Sequence, residues 1–323
     1  MVPSGSRQAL SKAPEPPPTG FGENTLGEFA GGEPVRLPDL ATLFRRRAER
    51  LSALAPGHEL EGFLRTIAAL AAAQHEALAG LPPGSLPGAA DIARATEAGR
   101  APLDPAEWRR EGSWRWALAR ILEKIDTGVL PAPAEAARQA LAHADAAEHE
   151  ALAERFLEGD VPPADAARAV FVAAALQVAW ARMAALLDAA DLDPADLGTC
   201  PACGSPPVAG IIAPGGTKFG QRHLYCSLCA TAWHYVRVRC VHCGSTDKIS
   251  YRQFAGTSYL RAECCESCHG YSKVFYLEAA KVLEPMADDL GSLGLDMLVG
   301  EEGFSRAPNP FVLGVMTPAE GNN

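Results

Sequence analysis

The 323-residue sequence predicts a multi-domain α+β protein: an N-terminal all-α helical domain, two small tandem four-cysteine modules and a C-terminal helix. Three observations carry that prediction. Apolar residues recur at helical spacing through an alanine- and leucine-rich first half. All nine cysteines fall between residues 200 and 268, where short β-branched and aromatic runs replace the helical pattern. Charge divides the same way: residues 1–199 carry −9, residues 200–276 carry +5 and residues 277–323 carry −6, within a net charge of −10. With 48 % hydrophobic and 21 % charged residues the chain can bury a real core. Its acidic balance argues against a protein devoted to a nucleic-acid backbone or an anionic membrane.

Residues 1–36 are rich in Pro, Gly and Ser and read as a disordered lead. They hold no apolar signal region. Arg45, Arg46 and Arg47 are followed by Glu49, Arg50 and His58 instead of an apolar stretch, so they read as a solvated helix face. The helical domain spans 37–197, with amphipathic segments at 37–54, 58–78, 104–125, 134–157 and 164–187. Asp104-Pro105 has the character of an N-cap followed by proline at the first helical position, and Pro162-Pro163 precedes another start. Pro82-Pro83-Gly84, Gly128 and Gly159 punctuate the segments. Trp108, Trp114 and Trp116 read as core aromatics. His143, Asp145, Glu148, His149 and Glu150 lack the paired Glu-x-x-His spacing of di-iron bundles and read as a solvated face. The run 166–190 is the most apolar, but Arg168, Gln177 and Arg182 interrupt it, so it reads as a buried core helix with no membrane insertion. Together these features predict a cytoplasmic protein, in which paired cysteines point to metal or redox chemistry.

Short strands are predicted at 208–212, 223–226, 233–238, 249–254, 259–262 and 273–277. A helix follows at 284–299, with Pro285 in its first turn and Gly291 and Gly294 weakening it.

Four C-x-x-C pairs lie among these strands: Cys200/Cys203, Cys226/Cys229, Cys240/Cys243 and Cys265/Cys268. The first pairs are offset by 40 residues and the second pairs by 39, and C-x-x-C-G-S occurs at Cys200 and again at Cys240. This is a duplicated four-thiolate module. A C-x-x-C turn sets two sulfurs at adjacent corners of a tetrahedron, and Gly204 and Gly244 take a positive φ cheaply just after it. Two such turns complete four-sulfur coordination, which suits zinc or a rubredoxin-type iron. The modules, 198–238 and 239–278, are therefore rubredoxin-like or zinc-ribbon in kind, and 279–323 forms a C-terminal helix and tail. A segment of ~40 residues cannot bury a sufficient core alone. Metal as a staple and metal as a working iron give the same spacing. Thioredoxin-like chemistry would need a βαβ context that is missing, and Cys265–His269 matches c-type haem attachment only formally. Arg237, Arg239, Arg252, Arg261 and Lys273 supply the positive charge, but metal-bound thiolates would lower it to about +1 with divalent ions or about +3 with ferric iron, too little for phosphate tracking. Cys264 is the odd cysteine. His223, His234, His242 and His269 read as neighbours of the sites or surface groups.

The stretches C-S-L-C-A-T-A-W-H-Y-V-R-V-R-C-V-H-C-G-S-T (226–246), A-E-C-C-E-S-C-H-G-Y-S-K (262–273), A-D-D-L-G-S-L-G-L-D-M-L-V-G-E-E-G-F (287–304) and Asn309-Pro310-Phe311 resemble the bacterial formate dehydrogenase accessory (formation) protein family, FdhE. The resemblance is close over the last ~130 residues. It implies a cytoplasmic maturation factor, not an enzyme, that binds the catalytic subunit of a molybdenum or tungsten formate dehydrogenase before export. It also implies iron at two rubredoxin-type sites, one held by Cys200, Cys203, Cys226 and Cys229 and the other by Cys240, Cys243, Cys265 and Cys268. Two readings from the residues alone compete with it: a zinc-ribbon nucleic-acid-binding regulator and a rubredoxin-like electron carrier.

Overall fold

A computed structural model describes residues 10–12, 33–81, 86–107, 112–194, 198–213, 220–280 and 282–313. Most of the lead, the Pro82-Pro83-Gly84 break and Trp108 lie outside the described residues. Two short strands fall within 1–36: β1 (Leu10–Lys12) and β2 (Val35–Arg36).

The helical half contains α1 (Leu43–Leu54), α2 (Glu61–Ala79), α3 (Ala89–Glu97), α4 (Ser113–Lys124), α5 (Ala132–His143), α6 (Ala146–Glu158) and α7 (Ala166–Ala184). The apolar run forms α7, which passes through the centre against α2, α4, α5 and α6. Six of its alanines (Ala169, Ala173, Ala174, Ala175, Ala181 and Ala184) are fully buried, so neighbouring helices approach closely. The helix is long and apolar enough to cross a membrane, but 72 % of its apolar stretch is buried inside the protein.

Three boundaries differ from the sequence reading. The expected helix at 104–125 begins only at Ser113, because Asp104 instead closes a turn, its Oδ1 accepting from Ala106 N at 2.9 Å. The expected helix at 134–157 divides at Ala144, which is extended. There Asp145 accepts from Ala147 N and Glu148 N, and Glu148 reaches back to Asp145 N, a capping box that starts α6. Beyond the sheet, the helix expected at 284–299 divides at Gly291-Ser292 into α8 (Pro285–Leu290) and α9 (Leu293–Glu301).

The cysteine-rich half forms one eight-stranded sheet. Its further strands are β3 (Pro207–Ile212), β4 (Arg222–Cys226), β5 (Ala232–His234), β6 (Ile249–Phe254), β7 (Leu260–Cys265) and β8 (Tyr271–Tyr276), in the order β1-β6-β7-β8-β3-β4-β5-β2. Each module is an antiparallel three-strand unit, as its duplicated sequence requires. The two units join through parallel pairing of β3 with β8, Gly210 opposite Val274. Arg222 on β4 clasps Glu263 on β7 across that seam at 2.7 Å, both side chains buried. The sequence treats the modules as separate units, each folded by its own metal; the structure fuses them. β1 and β2 cover the two outer edges.

The C-terminal motif closes the fold through a buried ion cluster. Lys273, fully buried on β8, pairs with Asp289 at 3.2 Å and with Asp296, and its ammonium donates to the carbonyls of Asp289 and Ser292. Arg306 meets the same two carboxylates at 2.9 and 2.7 Å. Asn309 donates to Asp289 at 2.7 Å and Tyr271 to Asp296 at 2.6 Å. Two cations against two anions leave the cluster neutral, the condition for burying charge at modest cost.

Candidate metal centres

The four C-x-x-C turns are built alike. The first cysteine N–H of each donates to the carbonyl five residues on: Cys200 to Ser205, Cys226 to Thr231, Cys240 to Ser245 and Cys265 to Gly270, all at 2.8–2.9 Å. The residue after each second cysteine then turns left-handed. Gly204 (φ +75°) and Gly244 (+73°) do so as the sequence predicts. Ala230 (+61°) and His269 (+55°) do so without glycine, each at a cost of roughly 1–2 kcal/mol. Neither position is glycine, so the residue type gives no sign of it.

These turns bring the eight paired sulfurs into two groups, Cys200/Cys203/Cys226/Cys229 and Cys240/Cys243/Cys265/Cys268, each with all four ligand atoms within 4.8 Å of one another. In the first, Cys200 Sγ lies 3.5 Å from Cys229 Sγ, and Cys203 Sγ lies 3.4 Å from Cys226 Sγ. In the second, Cys240–Cys268 is 3.6 Å and Cys243–Cys265 is 3.7 Å. An ion ~2.3 Å from four tetrahedral sulfurs would set them ~3.8 Å apart. The donor set therefore fits one ion per cluster. Backbone N–H groups point at the sulfurs, as thiolates require: Leu228 N and Cys229 N lie 3.3 Å from Cys226 Sγ, and His242 N lies 3.4 Å from Cys240 Sγ.

Electrostatics explain why such clusters call for a cation. Burial, reinforced by the neighbouring thiols, pushes Cys200 well above the usual thiol range. Burial raises Cys226 as well. Burial opposes ionisation of Cys203 too, but hydrogen bonds from Cys200, Cys226, Cys229 and Ser205 outweigh it and hold that thiol low. In the second cluster Cys265 is held to about 7, burial being outweighed by the N–H groups of Cys268 and Ser267 and by its thiol neighbours. Four thiolates in one place need compensating positive charge.

The clusters differ in setting. All four cysteines of the first are buried, and its two turns are hydrogen-bonded to the helical half. Leu103 N donates to Ala202 O at 2.8 Å, and Trp180 on α7 donates to Leu103 O at 2.9 Å. Gln177, also on α7, donates to Ser227 O at 2.8 Å and accepts from Arg47, which pairs with Glu284. In the second cluster Cys243 and Cys268 are exposed.

The other singled-out residues take lesser places. Cys264 is buried on β7 outside both clusters, its thiol pushed up to about 12 by burial. His242 packs over Gly270, where a Cβ would lie 2.7 Å from its ring, and bonds Tyr271 O at 2.9 Å. His269 lies against Phe304. His223 and His234 face each other on β4 and β5, ring centroids 6.0 Å apart, with His223 3.2 Å from Glu33 O. Trp114 is buried and donates to Glu150 at 3.0 Å. His143 and His149 bond helix carbonyls, so the acidic cluster of 143–150 is a helix start and its surroundings.

Family models cover nearly the whole described chain: "FdhE, N-terminal" matches residues 32–196, "FdhE, central domain" 199–237 and "FdhE, C-terminal domain" 238–313. A "Protein FdhE homolog" of Pseudomonas aeruginosa is 41 % identical over 280 residues, covering 83 % of this chain and 89 % of that protein. One of Rhizobium meliloti is 37 % identical over 295 residues, covering 88 % and 95 %. The crystal structure of the FdhE protein from Pseudomonas aeruginosa superposes with a TM-score of 0.76 at 38 % identity, covering 87 % of this chain and 98 % of that one. The chain belongs to the FdhE family, the formate dehydrogenase accessory proteins.

Proposed function

We propose that this FdhE family member is a cytoplasmic maturation factor that binds the formate dehydrogenase catalytic subunit before its export, and that it does so as a binding protein rather than an enzyme. Each sulfur cluster holds one metal ion, Cys200, Cys203, Cys226 and Cys229 the first and Cys240, Cys243, Cys265 and Cys268 the second. Iron is the reading taken from the family resemblance; zinc is the alternative that the same four-thiolate set accepts. Bound metal supplies cross-linking of the sheet and, as iron, one-electron redox chemistry. The observation that carries the reading is the pair of four-sulfur clusters within a chain that matches the family along its length.

One observation weighs against the nucleic-acid regulator. Lys273, Arg252 and Arg261, three sources of the positive charge in this segment, are buried. Lys273 is consumed by the ion cluster, Arg252 pairs with Glu302 at 2.7 Å, and Arg261 bonds Gln253 and lies over the Tyr276 ring. Three of the five cations named for this segment are thus turned away from phosphates.

A pull-down from formate-grown cells tests the reading. Wild type is expected to recover the catalytic subunit and Cys240→Ser to lose it. No dehydrogenase subunit on wild type, or intact formate oxidation after gene deletion, would overturn it. DNA retained at ~150 mM salt would instead favour the regulator.

A further inference from the structure

The duplication makes two clusters from one plan, yet the fold treats them differently. In the first, both middle segments of the C-x-x-C turns serve the helical half: Ala202 O accepts from Leu103 N, and Ser227 O accepts from the Gln177 amide. Gln177 is itself fixed by Arg47 and Gln74. All four cysteines of this cluster are buried. In the second, the turns face outward. Cys243 and Cys268 are exposed, as are His242, Glu266, Ser267 and His269 beside them. Its outward turn is secured from within its own module, by Glu266 N on Lys248 O and Ser250 Oγ on Glu266. Neither bond involves the helical half.

We infer that the clusters do different work: the first is a permanent joint between the helical half and the sheet, and the second is an open centre whose metal exchanges with chelating ligands through Cys243 and Cys268. An incoming ligand replaces the outer sulfurs one at a time. Each departing cysteine leaves as a thiolate and takes a proton from solvent, and no electrons are transferred. The first cluster offers an incoming ligand no exposed cysteine to displace. This inference rests on the reading that both clusters hold metal.

The experiment uses the full chain, brought anaerobically to two metal equivalents, with 4-(2-pyridylazo)resorcinol as the chelating probe. One equivalent is expected to leave at least about tenfold faster than the other, as access controls thiolate-site reactivity. Circular dichroism should not change during that phase. Iodoacetamide labelling of the one-metal product, mapped by mass spectrometry, should then modify Cys243 and Cys268 and spare Cys200, Cys203, Cys226 and Cys229. Two equivalents lost in a single phase, or first labelling at Cys200–Cys229, would overturn this inference alone. A chain that cannot be loaded beyond one equivalent would overturn the two-metal reading and this inference with it.

Discussion

Lys273→Met probes whether the C-terminal motif is a structural clasp. The Lys273 ammonium is fully buried between Asp289 and Asp296, and it also donates to Asp289 O, Ser292 O and Ser292 Oγ at 2.8–3.1 Å. Methionine fills similar volume but carries no charge, so two buried carboxylates would face Arg306 alone. Removing one partner of a buried ion pair costs about 3–5 kcal/mol, a large part of a typical stability of roughly 5–15 kcal/mol. Burial opposes ionisation of Asp296, but Lys273 and Arg306 outweigh it and hold that carboxyl below its ordinary range. Without the lysine that hold on Asp296 weakens, and the loss should shrink as pH falls. Adding Asp296→Asn restores neutrality and should recover at least about 1 kcal/mol, because directly coupled sites are non-additive. Urea unfolding followed by far-UV circular dichroism measures all three proteins. A Lys273→Met variant within about 1 kcal/mol of wild type would refute the clasp.

Three further outcomes follow from the same geometry. Ala230→Gly relieves a left-handed alanine and should raise stability by about 0.5–1 kcal/mol in urea, with metal content unchanged; a loss would show that Ala230 is not strained. Asp145→Ala removes the capping box of α6 and should cost about 1 kcal/mol without releasing metal, whereas metal loss would revive a ligand role for that cluster. His223 is held to about 4 by burial first, then by Arg36 and His234, so its neutral ring is the folded form. Its contribution is complete above the ordinary histidine range and is lost as pH falls towards the depressed value. Urea midpoints should therefore show about 2 kcal/mol less stability at about pH 5 than at about pH 7.5, and His223→Phe should remove most of that slope.

Much of this architecture is legible in the residues because its signals are local. Apolar periodicity locates α1, α2 and α7, and the matched C-x-x-C intervals locate both sulfur clusters. The capping box was also in plain view as Asp145 and Glu148, but continuous helical periodicity on both sides concealed the break at Ala144. What stayed hidden is non-local. Nothing around Pro207 announces that β3 pairs in parallel with β8, more than sixty residues away, to fuse two modules into one sheet. Gln177 reads as a blemish in an apolar helix until Ser227 and Arg47 are seen around it. The left-handed Ala230 and His269 obey a turn geometry that their side chains do not advertise. The unequal exposure of the clusters accompanies docking of the helical half on the turns of the first, a contact that the shared cysteine spacing does not signal.

The claim that each cluster holds one ion is tested most directly by metal analysis and thiol titration of anaerobically purified, folded protein. The account predicts two metal equivalents per chain, chiefly iron with thiolate-to-iron absorption in the visible, and only Cys264 left outside the metal sites. A folded chain with no bound metal and all nine thiols titrating after denaturation would contradict it.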